Sequence, residues 1–232
     1  MIDSASVYAV RVGLPKERHS TGARKTWLTS FEKPPVDGPV WIGATDLAGN
    51  DVADHNVHGG PERAVLFYAR SNYSYWEREL GTPATEGFRK GFGENLTVQG
   101  LDETTVCVGD RFAVGEAVVE IAQPRSPCWK IGEYWGVKDL SKRVYLTGKT
   151  GWFARVIKEG NVRAGDALAL LERPNPRITI QVLNDVVMEV ETRKTDVNDH
   201  AEMVTLFARC ETLSPGWRRQ FAQFDFSHLG IA

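Results

Sequence analysis

Gln123-Pro124-Arg125-Ser126-Pro127-Cys128-Trp129-Lys130 carries the most reactive arrangement in the chain, a lone cysteine with a cation on each side. It follows Ala117-Val118-Val119-Glu120-Ile121, which has the pattern of a strand, so Cys128 stands just past a strand end. Proline presets its own φ and restricts the residue before it, which makes Ser126-Pro127-Cys128 a stiff presenting loop. Arg125 and Lys130 add positive charge. Nearby cations favour the thiolate, the form that attacks electrophiles or binds soft metals. The competing reading is a buried cysteine serving as a small hydrophobe, and the two flanking cations weigh against it.

Three other stretches have the residue types for ligand contact. Asp54-His55-Asn56-Val57-His58-Gly59-Gly60-Pro61-Glu62-Arg63 precedes an apolar run. Gly59, Gly60 and Pro61 make a sharp turn where backbone amides approach a ligand, with His58 and Arg63 at its edges. His55 and His58 resemble a zinc pair, but the loop enters a strand and no third ligand has a suitable spacing. A polar turn whose histidines satisfy backbone groups is the alternative. Gly91-Phe92-Gly93-Glu94-Asn95-Leu96 is not a dinucleotide fingerprint, because it lacks the third glycine and leads into a strand. The Asn95 amide suits the orientation of a heterocycle, and Glu94 can accept from ring nitrogens. A plain turn with Gly93 in a left-handed conformation is equally compatible with that stretch. Thr147-Gly148-Lys149-Thr150-Gly151 imitates the end of a phosphate loop, but Arg143 stands where the first glycine is required. It reads as a connector between two helices, with phosphate contact at the next helix start as the weaker alternative.

The elements that must position these residues are mostly short strands. Candidates are Ser6–Gly13, Lys25–Phe31, Pro39–Ile42, Ala64–Tyr68, Asn95–Val98, Val106–Val108, a hairpin over Arg111–Ile121 turning at Gly115-Glu116, and Ala167–Leu171. Short strands separated by Gly, Pro and Asp turns imply a mostly β fold with some helix, built as a closed or strongly bent barrel. Helices are expected over Asn72–Leu80, capped by Ser71 and stopped by Gly81, and over Val137–Leu146 and Gly151–Lys158. Most of the tryptophans are expected in the core, while Trp129, beside Cys128, is placed to wall a flat ligand. Pro174 and Pro176 mark a linker. Beyond it, Ile180, Leu183, Val187 and Val190 share a helical face, Ala201–Phe207 suggests a second helix, and Pro215–Phe224 a third with proline in its first turn. The organisation is a barrel domain over residues 1–172 and a helical extension over 173–232. The extension is too small to stand alone, so it must dock on the barrel or on a second subunit of a homodimer.

Composition narrows the setting. With 232 residues and a formal net charge of -2, the chain has no global attraction for nucleic acid. Cys107, Cys128 and Cys210 are too few and scattered for a disulfide framework. The amino terminus has no leader pattern and no stretch is long enough to span a membrane. These features predict a soluble protein of a reducing, cytoplasmic compartment.

Taken together, Val57–Ala64, Gly91–Leu96, Gly109-Asp110, Gln123–Cys128 and Thr147–Trp152 resemble, in order, the MOSC family, named for the carboxy-terminal domain of molybdenum cofactor sulfurase, and within it the YiiM-like subgroup. The likeness runs from about Trp41 to Leu171, and the helical tail resembles the three-helix extension of that subgroup. The resemblance implies a bent β-barrel that binds a molybdenum-molybdopterin cofactor. It maps the family's metal-ligating or sulfur-carrying cysteine onto Cys128. It also implies reduction of N-hydroxylated bases such as 6-hydroxylaminopurine. On this reading Arg63, Arg125 and Lys130 attend the cofactor phosphate, Glu94 and Asn95 the pterin ring, and His58, beside Gly59 and Gly60, donates a proton to the departing hydroxyl. The chain has no cysteine set for an iron–sulfur cluster and no nicotinamide fingerprint, so a reductase of this kind needs a separate electron-donor protein. A molybdopterin carrier, a persulfide-transfer protein using Cys128 and a plain interaction domain are the competing functions.

Overall fold

Short strands build most of the barrel, some alternating apolar and polar residues and the central ones buried along their length. The structure, a computed structural model, describes residues 5–19, 26–55, 58–81, 83–192 and 194–224. Most of the amino terminus read as leaderless, together with Lys25, Asn56 and Val57, lies outside them. The strands are β1 (Ser6–Arg11), β2 (Lys16–His19), β3 (Thr26–Thr29), β4 (Pro35–Val36), β5 (Val40–Ile42), β6 (Val65–Ala69), β7 (Leu96–Gln99), β8 (Arg111–Val114), β9 (Ala117–Pro124), β10 (Trp152–Lys158), β11 (Gly160–Val162) and β12 (Leu168–Glu172). The helices are α1 (Arg70–Leu80), α2 (Ala84–Lys90), α3 (Lys130–Trp135), α4 (Leu140–Thr147), α5 (Ile180–Glu191), α6 (Ala201–Arg209) and α7 (Pro215–Gln223).

One eight-stranded sheet runs in the order β12-β8-β9-β10-β6-β7-β1-β4. Its pairs are antiparallel except β6 with β7, which are parallel and joined through α1 and α2. The sheet curls until β1 meets the start of β12. Val7 N donates to Asp166 O at 2.8 Å, and Leu168 N to Ala5 O at 2.9 Å. Curling removes exposed sheet edges, which otherwise invite pairing with other chains. The fold is thus the expected mostly β half-barrel with helices. Two ribbons, β5 with β11 and β2 with β3, are separate from the main sheet.

Two apolar cores result. The larger fills the barrel with Val10, Phe67, Phe112, Val119, Ile121 and Trp152, and continues without a break into Leu183, Val187, Phe207 and Phe221 of the carboxy-terminal helices. Ser214 N also donates to Ala122 O at 3.0 Å. The helical tail therefore docks on the barrel of its own chain. The smaller core gathers Tyr68, Tyr73, Trp76, Phe92, Ile131 and Trp135 beneath α1, α3 and α4. Trp27 also is buried, whereas Trp41 and Trp129 are exposed.

Several expected elements differ. Within the expected helix Gly151–Lys158, Trp152–Lys158 form strand β10 instead. Trp152, Phe153 and Ala154 pair with both β6 and β9, and tertiary pairing of aromatic and β-branched residues overrides the helical reading. Thr147–Thr150 therefore links a helix to a strand, and no helix start is available there for a phosphate. Lys149 instead reaches Asn72 Oδ1 at 3.4 Å and lies over the Tyr75 ring. Val106–Val108 is not a strand, because buried Asp110 accepts from Cys107 N at 2.9 Å and holds a turn. Ser71 does not cap α1, which begins at Arg70 with Ala69 as its N-cap. Strand β2 and helices α2 and α3 have no counterpart in the sequence reading.

The continuous core has a measurable consequence. Phe207 is fully buried, with its ring centroid 4.9 Å from that of Phe221. Phe207→Ala is expected to cost about 3–5 kcal/mol in urea denaturation and to leave one cooperative transition, since the tail and barrel share that core. Two separate transitions would contradict a shared core.

Candidate functional site

The ends of β9, β3 and β6 and the loops beside them surround a cavity of about 390 Å³. Its wall includes His58, Gly59, Arg63, Asn95, Arg125, Cys128 and Lys130, so the folded chain brings together seven of the nine expected site residues. Gly60 is not part of the wall. With φ of 85° at Gly59 and 83° at Gly60, the pair turns the chain into a single 3-10 turn, Pro61–Arg63. Arg155 of β10 pairs with Glu62 and, at 2.6 Å, with Glu120 of β9, which anchors that turn to the barrel.

Cys128 lies in the loop after β9, one residue before Trp129, the N-cap of α3. Its carbonyl accepts from Ser141 Oγ at 2.6 Å, so α4 fixes the loop from beneath. The Cys128 sulfur accepts from Lys130 N at 3.3 Å, and the residue is 8% exposed. The Lys130 ammonium donates to Leu28 O at 2.9 Å, which ties the cysteine loop to strand β3.

The cavity wall is strongly cationic. Lys33, Arg63, Arg125 and Lys130 face it, with Asp46 as the carboxylate among the described wall residues. Burial lowers the pKa of the Arg125 guanidinium, with the Cys128 sulfur the strongest opposing influence. Arg125 Nη1 is buried and finds no hydrogen-bond partner among the described residues. A buried donor left unpaired costs about 1–3 kcal/mol, more when charged, and such atoms mark a place for a ligand. Burial also lowers Arg63. It lowers Lys33 to about 8, only partly offset by Asp46 and Glu94. His58 falls to about 4, through burial first and then the charges of Lys130, Arg63 and Arg125. At neutral pH its ring is therefore neutral, and the imidazolium needed for proton donation requires an anion beside it.

Glu94 is absent from the cavity wall. It is fully buried and pairs with Arg11 Nε of β1 at 3.2 Å. It also accepts from Tyr73 Oη, from Thr97 Oγ1 at 2.8 Å and from Phe92 N at 2.8 Å. Burial alone would raise its carboxyl, but Arg11 and these donors hold it below the ordinary range. Its acceptor sites are spent inside the protein, which argues against contact with a ring ligand. Asn95 does line the cavity, but its Oδ1 accepts from Leu66 N at 3.1 Å, so the oxygen positions β6 rather than a heterocycle. Gly93 has φ of 84°, the left-handed turn that the plain reading allows.

Sequence reasoning missed Lys33, Asp46 and Gln123 as wall residues. Lys33 precedes Pro34-Pro35 and has no motif around it. The only signal was a cation in an otherwise extended segment before proline. The Arg11 guanidinium holds its carbonyl, Nη1 to Lys33 O at 2.9 Å.

The curled half-barrel with helices on its flank is the fold of the MOSC class of proteins. The chain belongs to the MOSC domain family, whose match covers residues 54–169. It is 37% identical over 220 residues to the uncharacterized protein YflK of Bacillus subtilis, which covers 93% of this chain and 92% of that protein. It is 38% identical over 172 residues to a protein named "Reductase" from Gibberella moniliformis, covering 73% of this chain but 30% of the fungal one. Among solved structures, YiiM from Geobacillus stearothermophilus superposes with a TM-score of 0.75 at 30% identity, covering 94% of this chain and 98% of that one.

Two measurements follow from the electrostatics. Glu94→Gln leaves buried Arg11 without its counter-charge and is expected to cost about 3–5 kcal/mol at pH 7. Glu94's folded pKa is depressed, so its contribution is present above the unfolded value and fades as pH falls through the folded one. The variant's loss in denaturant midpoint should shrink accordingly in acid. Second, an oxyanion such as molybdate added to the metal-free protein should raise the His58 pKa from about 4, read by imidazole NMR shifts. No movement at saturating anion would mean that the anion sits elsewhere.

Proposed function

We propose that the cavity holds a molybdenum-pterin cofactor through Cys128 and reduces N-hydroxylated bases or related N-hydroxyl compounds. The observation that carries this reading is Arg125, a buried cation with an unpaired Nη1 donor in the wall that presents the cysteine sulfur. That donor set suits a bulky anion with a soft metal at one end. Among the described residues no three of His, Cys, Asp and Glu gather as a metal cluster, so a metal here would depend on Cys128 and on ligands the cofactor brings. When bound, the cofactor supplies the two-electron change that removes the N-hydroxyl oxygen.

The chain's own residues have distinct tasks. Cys128 offers its thiolate to the metal from a loop held by Ser141 and Lys130. Arg125 donates to an anionic oxygen, and Arg63 adds charge from the Gly59-Gly60 turn. Trp129, expected to wall a flat ligand, is 44% exposed, packs against the Trp27 ring and is not part of the cavity wall. Electrons come from a separate redox protein of the reducing cytoplasm. The fungal relative named a reductase extends well beyond the stretch shared with this chain, which is compatible with a donor that some relatives carry and this chain meets in trans.

The deciding experiment measures molybdenum per chain in full-length protein from a molybdopterin-competent host. Wild type should approach one metal per chain, while Cys128→Ser should lose most of it, and Arg125→Met should lose pterin as well as metal. Metal-free wild type, with all three chains folded by circular dichroism, would remove the cofactor reading and leave persulfide transfer by Cys128 as the reading to test.

A further inference from the structure

Reduction of an N-hydroxyl group consumes two electrons and two protons: the N–O bond breaks, the oxygen leaves as water and the nitrogen gains hydrogen. The electron-donor protein supplies the electrons. The cavity must supply at least the proton that makes the oxygen a leaving group. Apart from Cys128, which the reading above commits to the metal, and the weakly acidic hydroxyls of Thr29, Ser30 and Ser126, the proton-bearing side chains on its wall are Lys33, Asp46, His58, Arg63, Arg125 and Lys130. The arginines do not release protons. Lys130 is committed to Leu28 O at 2.9 Å. Burial raises the Asp46 carboxyl above its ordinary value, opposed by the bonds its Oδ1 accepts from Leu47 N at 2.8 Å and Asn50 Nδ2 at 2.6 Å and by the charge of Lys33, for which it is the nearby counter-charge on the wall. His58 becomes imidazolium only when an anion offsets its cationic neighbours.

Lys33 remains. Its side chain is 7% exposed and forms no ion pair among the described residues. Its backbone is fixed by Arg11, which is itself locked to Glu94. We propose that Lys33 is the general acid of this cavity, its ammonium donating the proton that converts the departing N-hydroxyl oxygen to water. The proposal rests on the reductase reading above. After transfer Lys33 is a neutral amine, and solvent reprotonates it and supplies the second proton. The groups that set its acidity are Asp46, Glu94 and Arg125, with Arg11 at its carbonyl and His58, Arg63 and Lys130 elsewhere on the wall. Burial brings it to about 8, near the working pH where a general acid is most effective. It carries its proton at neutral pH whether or not an anion is bound, and a bound anion raises the value further.

The test uses molybdenum-loaded full-length protein, reduced methyl viologen as donor and 6-hydroxylaminopurine as substrate. Wild type, Lys33→Arg and His58→Gln are compared, with metal content measured for each. Lys33→Arg keeps the charge but cannot donate. It is expected to retain metal and KM within about threefold, to lose about 10²-fold or more in kcat, and to lose the alkaline limb of the kcat–pH profile. In parallel, competitive acetic-anhydride labelling of the metal-free protein should show Lys33 half-titrating near 8. Lys33→Arg with wild-type kcat and pH profile overturns the proposal while the reductase reading stands. So does an alkaline limb that disappears in His58→Gln instead, or a Lys33 that labels like an ordinary surface lysine. A loaded wild type that reduces no N-hydroxyl compound overturns the reductase reading, and this proposal with it.

Discussion

The buried pair between Arg11 and Glu94 is the interaction on which the cavity depends. Arg11 ends β1, and its guanidinium reaches Thr97 of β7, Phe88 O of α2 and Lys33 O of the cavity wall. Glu94 answers with bonds to Tyr73 of α1, Thr97 and the Gly-rich turn. Neither charge has access to water, so each is tolerable only while the other is in place. The pair thereby fastens the curled sheet to the helices on its flank. It also fixes the loop that carries Lys33 and the turn that carries Asn95.

With that frame neutralised internally, the charge balance of the cavity itself stands out. Arg125, Arg63, Lys130 and Lys33 crowd one wall against Asp46, and the buried Arg125 Nη1 has no described partner. Folding has placed these cations together despite their repulsion and the cost of removing them from water. A bound anion would offset both penalties and would raise the depressed His58 pKa. Cys128 lines the same space, so under the proposed reading an anion and a soft metal would meet at one site.

The sequence disclosed the cavity's landmarks better than its limits. Cys128, Arg125 and the Gly59-Gly60 turn were legible because each belongs to a short motif whose backbone demands are local: a proline-stiffened strand end and a turn with positive φ. The barrel was legible from alternation, and α1 from its Gly81 stop. Residues 151–158 misled, because Trp152–Lys158 has no turn signal of its own and becomes a strand only when β6 and β9 close on both sides. Glu94 misled for a related reason. In sequence it is a carboxylate beside an asparagine in a glycine turn, and its commitment to Arg11 spans more than eighty positions.

By itself, then, the chain determined the family, the curled β architecture, the helical tail and the cysteine at a strand end. Local dihedral preferences and apolar periodicity act over a few residues and are written in order along the chain. Tertiary structure decided which charges meet. It spent Glu94 inside the protein, brought Lys33 and Asp46 from unmarked loops to the cavity wall, left Arg125 with an unpaired donor, and joined the tail to the barrel core. Electrostatic partnership depends on distance in space and on exclusion of water, and neither can be read from spacing along a chain.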